Sequence, residues 1–391
     1  MTSINSSPAR PTVAVRSDHQ AQPATQIADA DAIDLLHRMV ATPSLSRQEQ
    51  AVAAVIRDWA ITQGLCGEVD DTGNAVVSFG NPGAEYLIVC LGHMDTFPGM
   101  PRVRIEDGIL YGRGSVDAKG PLAAFVVAAA RATLPNNVRV MVVGAVEEEC
   151  PTSRGAIAIS RRVRPDACII GEPSGTTGVT LGYKGRLLAD ISVRRPSAHS
   201  AGPGSSASDD AVAWWGRVLA LVHELNTGHT GAFDTIQATI RSMSSEQTGV
   251  EDRAILAAGF RLPPWLSPER LTTLLRELDE QVTLECTGAE RAVVSDRSNR
   301  VVRAITQAIR ATGVTPAVRV KTGTSDMNVV APIWNCPIAA YGPGDSALDH
   351  TPNEHLNLDE YLRSIGILTD AIERMANELA CRSAENGASR L

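Results

Sequence analysis

Apolar residues follow two alternating patterns along much of the chain. Continuous apolar runs at 87–91, 138–146 and 167–170 have the length of strands and are apolar on both faces, as in the interior of a parallel sheet. Between these runs, apolar residues recur every three to four positions, which predicts helices such as one at 121–134. The same alternation resumes at residue 297 and continues toward the C-terminal region. The sequence therefore predicts an α/β fold with a mainly parallel sheet.

The pattern changes between residues 183 and 295, where polar and apolar residues alternate. The predicted elements are a strand at 186–193, a helix at 210–225, strands at 233–240 and 254–262, and a helix at 267–282. This β-α-β-β-α order is typical of a small α+β sandwich, which we assign to the ferredoxin-like type. We therefore expect one α/β domain, at 28–182 and 296–391, interrupted by an inserted domain at 183–295.

The N-terminal region has two local signals. Residues 1–27 are rich in Ser, Ala, Pro, Gln and Thr and have no hydrophobic period, which predicts a disordered arm. Farther along, Ser46 and Glu49 stand three residues apart before a helical run of apolar residues, a spacing typical of a capping box. We therefore expect their side chains to cap that helix.

Composition limits the class of protein. The chain has 391 residues and a net charge of −8, whereas a nucleic-acid-binding surface is basic. Its longest apolar run is far too short to cross a membrane, and no apolar segment follows a positively charged start as in a signal peptide. Seven scattered cysteines without CxxC spacing fit reduced thiols in a cytoplasm. We therefore expect a cytoplasmic protein that binds neither nucleic acid nor membranes.

A histidine and an aspartate follow the apolar run at 87–91. His93 and Asp95 are two residues apart, so an extended backbone directs both side chains to the same face. A carboxylate that orients a metal-binding imidazole is a common arrangement around metal ions. Asp117 follows in a glycine-rich turn. This pattern alone is weak, because a histidine at a strand end is more often a hydrogen-bonded structural residue.

More carboxylates and a second histidine follow the other predicted strands. They are Glu147, Glu148 and Glu149 after the run at 138–146, Glu172 after 167–170, and His350 after a strand predicted at 338–341. Because ligands bind at the carboxyl ends of parallel strands, we expect these groups to share one edge of the sheet. Mixed histidine and carboxylate ligands suit Zn²⁺ or related ions, and two ions sharing one carboxylate would need about this set. The alternative for the glutamate run is a solvated acidic turn.

Five short motifs together resemble one known family. They are GHMDT at 92–96, GRGSVDAKG at 112–120, EEE at 147–149, GEPS at 171–174 and HTPNE at 350–354. In this order they resemble the M20 metallopeptidase/deacylase family, which includes acetylornithine deacetylase, succinyl-diaminopimelate desuccinylase and carboxypeptidase G. The runs at 116–125 and 321–328 look closest to the branch that hydrolyses lysine or ornithine linked to an amino-group carrier protein. The resemblance implies a zinc-peptidase-like catalytic domain and an inserted dimerisation or lid domain.

The resemblance also implies the metal ligands. Asp117 would bridge two divalent metal ions, with zinc expected and cobalt or manganese as alternatives. His93 and Glu172 would complete one of the two metal sites. Glu149 and His350 would complete the other. A centre of this kind lowers the pKa of its water toward neutrality and polarises the amide carbonyl of the substrate.

Two residues near these ligands would act in catalysis. By the resemblance, Asp95 would hold His93 in its tautomer, and Glu148 would be the general base that moves a proton from water to the leaving amine. Because three glutamates are consecutive, the position of the base is ambiguous by one residue. Glu147 therefore remains the alternative.

The inserted domain would supply substrate contacts. His199 resembles a family histidine that reaches across a homodimer to stabilise the tetrahedral oxyanion; its alternative is an ordinary loop histidine. Arg261 resembles an arginine that binds the substrate carboxylate; its alternative is a surface residue on a strand. The loop that contains Gly323, Thr324 and Ser325 resembles the lining of the substrate pocket.

We therefore expect a metal-dependent amidohydrolase that releases a lysine- or ornithine-like amino acid from the C-terminal Glu of a small acidic amino-group carrier protein. One alternative is an N-acyl amino acid deacetylase or carboxypeptidase that acts on small free substrates. Another is a non-catalytic binding protein with the same fold. An acidic partner would need a basic patch, for which Arg102 with Arg104, Arg194 with Arg195, and the arginines at 161–164 are candidates. Each could equally be a solubilising surface cluster.

Overall fold

The computed structural model describes residues 26–199 and 204–388, with side chains described up to Arg382. The predicted arm lies almost entirely outside these residues, although Ile27, at its end, is buried in the core. The described chain forms two compact units. The first comprises residues up to Leu181, Ser295–Arg319 and Val329–Leu391, and the second comprises Gly182–Val294 and Val320–Asn328. The segment 320–328, expected in the α/β domain, therefore belongs to the second unit by its contacts.

The helices and strands of the described residues have the following bounds. The helices are α1 Asp29–Ala41, α2 Gln50–Thr62, α3 Lys119–Arg131, α4 Arg154–Arg162, α5 Ala207–Leu225, α6 Pro268–Glu277, α7 Arg300–Ala311, α8 Asp326–Trp334 and α9 Leu358–Ala388. The strands are β1 Cys66–Val69, β2 Ala75–Gly80, β3 Tyr86–His93, β4 Arg104–Glu106, β5 Ile109–Tyr111, β6 Val138–Ala145, β7 Ala167–Gly171, β8 Gly178–Tyr183, β9 Gly185–Pro196, β10 Gln237–Gln247, β11 Glu251–Leu262, β12 Thr283–Glu290, β13 Val293–Val294, β14 Ala317–Lys321, β15 Ile338–Ala340 and β16 His355–Asn357. None of the described helices is both long and apolar enough to span a membrane.

The first unit is built on a mixed sheet with a parallel centre. Its strands run in the order β1-β2-β6-β3-β7-β15-β8. The pairs β6–β3, β3–β7 and β7–β15 are parallel, and the strands outside them are antiparallel. All eight residues of β3 are buried, as both faces of a central parallel strand require. The predicted α/β class with a mainly parallel sheet is confirmed.

Three glycines lie side by side on the central strands. Gly92 of β3 is in register with Gly144 of β6 and Gly171 of β7. A Cβ atom on Gly171 would lie 2.7 Å from the Phe125 ring of α3, and one on Gly144 would lie 3.0 Å from Leu122. The absence of side chains therefore lets α3 pack directly on the ends of these strands. Since α3 begins at Lys119, this packing also fixes the turn that contains Asp117.

The second unit has the ferredoxin-like order of strands. Its antiparallel sheet runs β10-β11-β9-β12, with buried residues of β9 and β11 packing against α5 and α6. The predicted inserted α+β sandwich thus has a fourth strand, β12, that the apolar pattern did not indicate. Its residues are alternately exposed and half-buried, and none is fully buried, so the strand has no apolar signal. The helix predicted to reach residue 282 ends at Glu277.

The capping box predicted at Ser46 and Glu49 is wrong. No side chain caps the first turn of α2. The Ser46 hydroxyl instead donates to Asp95 Oδ2 at 2.7 Å. Glu49 Oε1 accepts the backbone N–H groups of Arg47 and Glu147, both within 3.0 Å. Both side chains therefore bind the loops at the ends of β3 and β6 rather than the helix.

Candidate metal centre

The chemistry-bearing residues of the first unit follow the carboxyl ends of adjacent parallel strands. His93 is the last residue of β3 and is in register with Ala145 of β6, two residues before the glutamate run. Gly92 is in register with Gly171, which directly precedes Glu172. The sheet therefore delivers His93, Glu172 and residues 147–149 to one edge, as expected for a ligand site in a parallel sheet.

Asp117, Glu149 and His350 form the centre of the group. One possible ligand atom from each residue lies within 4.8 Å of the other two. Among the described residues, this is the group of three side chains spaced closely enough to hold a metal ion. His350 Nε2 lies 3.1 Å from Asp117 Oδ2 and 3.0 Å from Glu149 Oε1. On the other side, His93 Nε2 lies 3.2 Å from Asp117 Oδ1. Asp117 therefore stands between two imidazoles, one on each carboxylate oxygen. Its bridging of two metal ions stays a prediction.

These contacts shift the pKa values of the group strongly. Hydrogen bonds with Asp117 and Glu149 raise the pKa of His350 to about 10. Burial opposes protonation of His93, but the carboxylates of Asp117 and Asp95 raise its pKa well above the usual value. Burial would raise the pKa of Asp117, yet the hydrogen bonds from both histidines lower it far below its usual range. Without metal, the two imidazoles therefore hold protons at the positions where a cation would bind.

Asp95 contacts both sides of the site. His93 Nδ1 lies 2.9 Å from the Asp95 carbonyl oxygen and 3.5 Å from its carboxylate Oδ1. Both neighbours are acceptors, so Nδ1 carries a proton and Nε2 points toward Asp117. The carboxylate also accepts the backbone N–H groups of Glu148 and Glu149, each at 3.0 Å. Asp95 therefore orients the imidazole and the glutamate loop together.

The three consecutive glutamates have different surroundings. The Glu147 carboxylate is buried and accepts hydrogen bonds from Thr152 at 2.5 Å and from Arg154 at 2.6 Å. These contacts lower its pKa against the opposing effect of burial. Glu149 contacts His350, and half-buried Glu148 is close enough to His93 to raise its pKa electrostatically. Glu148 is therefore the glutamate of this run that acts on His93 without belonging to the group of three.

Glu172 is buried at the end of β7. It lies at the same sheet edge as His93, although it is not one of the three closely spaced ligands among the described residues. Its assignment as a ligand of one metal stays a prediction.

A second cluster lies within the second unit. Arg261 Nη1 donates to Thr324 Oγ1 at 3.0 Å, which brings together two of the residues expected to contact substrate. Ser325 directly precedes α8; its Oγ accepts the N–H of Met327 and its own N–H donates to Asn328 Oδ1. Gly323 precedes this turn and has open space around its Cα. His199 is exposed just after β9, and residues 200–203 of its loop lie outside the described residues.

Comparison with known proteins identifies the family. The profile of Peptidase family M20/M25/M40 matches residues 89–374, which is more than half of the chain. The chain belongs to peptidase family M20. The LysW-lysine hydrolase of Deinococcus radiodurans is 46% identical over 364 residues, covering 90% of this chain and 99% of that protein. The LysW-lysine/LysW-ornithine hydrolase of Saccharolobus islandicus is 30% identical over 289 residues, covering 74% of this chain and 81% of that protein.

Solved M20 structures share the fold. The M20 family metallo-carboxypeptidase Sso-CP2 from Sulfolobus solfataricus has a TM-score of 0.71 at 18% identity, covering 88% of this chain and 99% of that chain. The predicted M20 membership and the predicted class of enzyme, a hydrolase of amide bonds, are confirmed. The alternative prediction, a non-catalytic binding protein, is not supported, because the family is one of peptidases.

The residues present fit the metal dependence of such an M20 hydrolase. Two imidazoles and several carboxylates are the donors that Zn²⁺ and related ions take. The hydrogen bonds that now join His93, Asp117, Glu149 and His350 occupy the lone pairs that a metal would use. Three supporting residues were not identified from the sequence: Ser46 beside Asp95, and the buried pair Arg113 and Glu354. Arg113 and Glu354 could have been found from the sequence, because they lie inside the motifs that contain Asp117 and His350.

Proposed function

We propose that this M20 enzyme hydrolyses the amide bond between lysine and an amino-group carrier protein; its 46%-identical relative is named LysW-lysine hydrolase. The observation that supports this most is the combination of that identity over 90% of the chain with the metal-compatible group of Asp117, Glu149 and His350. The name of a relative at 30% identity also includes ornithine. Carrier-linked ornithine is therefore the second candidate substrate.

We further propose that two divalent ions, zinc in the native enzyme, bind with Asp117 between them. His93 and Glu172 would bind one ion, and Glu149 and His350 the other. When bound, the ions would polarise the scissile carbonyl and lower the pKa of the attacking water. His93 would bind through Nε2, because Nδ1 donates to Asp95.

Glu148 would be the general base. Its backbone N–H is anchored on Asp95 at 3.0 Å, which fixes the position from which its carboxylate can reach the reacting water. It would take a proton from that water and deliver it to the nitrogen of the leaving amine. Glu147 is unsuited to this step, because its carboxylate is already engaged by Arg154 and Thr152.

Arg261 and Thr324 would bind the carboxylate of the released amino acid. A guanidinium can make a bidentate contact, which suits a carboxylate, and the mutual hydrogen bond holds the two side chains together. His199 would stabilise the tetrahedral oxyanion across a homodimer. Cytoplasmic location belongs to this proposal as well.

The second unit supports the homodimer with an apolar edge. β10 is the edge strand of its sheet, and Ile240 and Met243 on it are exposed. Val212 and Leu219, seven positions apart on α5, are also exposed. An unprotected edge strand of 11 residues is a ready site for pairing with a second copy. Light scattering should give twice the chain mass, and Met243→Asp should give a monomer; a monomeric wild type would contradict the dimer.

A rim beside the metal group supports a polypeptide substrate. Phe97 stacks on the His350 ring with centroids 4.3 Å apart, yet it remains 43% exposed. Met100 and Ile105 on the same segment are exposed too, and so is Arg102. Exposed apolar side chains that follow one another along this segment are typical of a binding surface, and we propose that the carrier chain occupies it.

The decisive experiment compares substrates. The enzyme loaded with zinc is incubated with LysW-lysine, LysW-ornithine, Nα-acetyl-lysine and Nα-acetylornithine, and free amino acid is measured. We expect release from LysW-lysine to exceed release from the acetylated amino acids by orders of magnitude. Turnover of the acetylated compounds alone would contradict the carrier substrate and favour a small-molecule deacetylase. Faster release of ornithine would favour the second candidate.

A further inference from the structure

The turns that bear Asp117 and His350 are joined by a buried ion pair that is not part of the ligand set. Arg113 Nη1 donates to Glu354 Oε2 at 2.7 Å, and the two side chains are 5% and 0% exposed. Burying two charges is costly unless their remaining polar atoms are also satisfied. Here those atoms bind the backbone of the two turns.

Glu354 lies four residues after His350 but binds the backbone at Asp117. Its Oε1 accepts the N–H of Val116 at 3.0 Å and the N–H of Asp117 at 3.1 Å. In addition, the carbonyl of Glu354 accepts the N–H of Gly112. One residue of the His350 turn therefore fixes the start and the end of the segment that leads to Asp117.

Arg113 lies four residues before Asp117 but binds the backbone at His350. Its Nη2 donates to the His350 carbonyl at 3.3 Å, and its Nε donates to the Gly99 carbonyl at 3.2 Å. His350 has φ of +62°, a left-handed conformation that persists in a non-glycine residue only where its surroundings impose it. Arg113 holds the backbone of this residue, while Phe97, Asp117 and Glu149 contact its ring.

We propose that Arg113 and Glu354 are positioning residues of the metal centre, each fixing the backbone of the ligand on the opposite turn. The arrangement is reciprocal, so a shift of either turn disturbs both Asp117 and His350. The pair would thus set the affinity for metal without binding it. This inference rests on the proposed metal function.

The test uses Glu354→Gln and Arg113→Lys in the full chain. Gln keeps the size of Glu but loses its charge, and Lys keeps the charge of Arg but loses the planar fork that reaches several acceptors. Zinc per chain and the zinc dissociation constants are measured by competition with a chelator. Loss of a supporting residue around a metal typically weakens binding about 10–100-fold, and we expect that loss for at least one ion in both variants. Arg303→Met removes an exposed pair with Glu378 and should bind zinc as the wild type does.

Thermal unfolding with and without zinc separates positioning from general stability. A positioning role predicts that zinc raises the unfolding midpoint less in Glu354→Gln than in the wild type. A merely structural role predicts equal losses with and without zinc, and wild-type zinc affinity in both variants; that result would overturn the proposal. If Glu354→Gln fails to fold, Arg113→Lys decides the question alone. A wild-type protein that binds no zinc would overturn the proposed function together with this inference.

Discussion

Asp95 Oδ1 accepts the backbone N–H of Glu148 at 3.0 Å, which ties the proposed general base to the residue that orients His93. Asp95→Asn replaces one acceptor oxygen by a donor, so it cannot accept all the bonds that the carboxylate accepts. We expect kcat to fall about 10–100-fold, as for other residues that support metal ligands. Ser46→Ala removes one hydrogen bond to Asp95 and should have a smaller effect. Unchanged kcat in Asp95→Asn would contradict this coupling.

The glutamate run allows a matched pair of variants. Glu148→Gln removes the proposed base, and we expect kcat to fall by about 10²–10⁴ while zinc content stays at the wild-type level. Glu147→Gln instead weakens the contacts with Arg154 and Thr152. It should therefore lower the free energy of unfolding and leave kcat close to the wild-type value. The reverse pattern would assign the base to Glu147.

Metal binding to the metal-free enzyme should release protons. The pKa of His350 is raised to about 10 by its carboxylate partners, and that of His93 is also raised, so both imidazoles are protonated at pH 7. The stability that these contacts give the metal-free fold is present below about pH 6.5, the usual imidazole pKa, and is lost as pH rises through about 10 for His350. Zinc requires neutral imidazoles, so its affinity should increase with pH.

Titration calorimetry in two buffers of different ionisation enthalpy measures this release. We expect close to one proton from each histidine at pH 7. A heat of binding that does not depend on the buffer would contradict the protonated state of the metal-free site.

The glycine row predicts a stability effect that does not depend on bound metal. A Cβ in Gly171→Ala would lie 2.7 Å from the Phe125 ring, and overpacking of this kind costs about 1–3 kcal/mol in the free energy of unfolding. Gly366→Ala lies within α9, where nothing is within 4 Å of the added Cβ, and should stabilise the protein by about 0.5–1 kcal/mol. Urea unfolding of the metal-free proteins compares the two. Equal stabilities would contradict close packing of α3 on the strand ends.

The sequence indicated those parts of the centre whose signal is local. His93 and Glu149 stand at the ends of apolar strands, so strand order places them at one edge, and Asp117 lies in a glycine-rich turn. The pair Arg113 and Glu354 is separated by 241 positions, and no local pattern links two such residues. Ser46 matched a local helix signal, but its hydroxyl binds Asp95 because tertiary contacts outweigh a capping bond. Strand β12 escaped prediction because the second unit leaves it partly exposed on both faces.

The distance along the chain between Glu149 and His350 has a consequence for synthesis. The two side chains are 201 positions apart, and the second unit is encoded between them. A ribosome therefore makes the whole inserted sandwich before it adds His350. A nascent or prematurely terminated chain that ends before residue 350 lacks both that histidine and Glu354, so it cannot assemble the hydrolytic centre. The order of translation thus restricts this centre to chains that already contain the second unit.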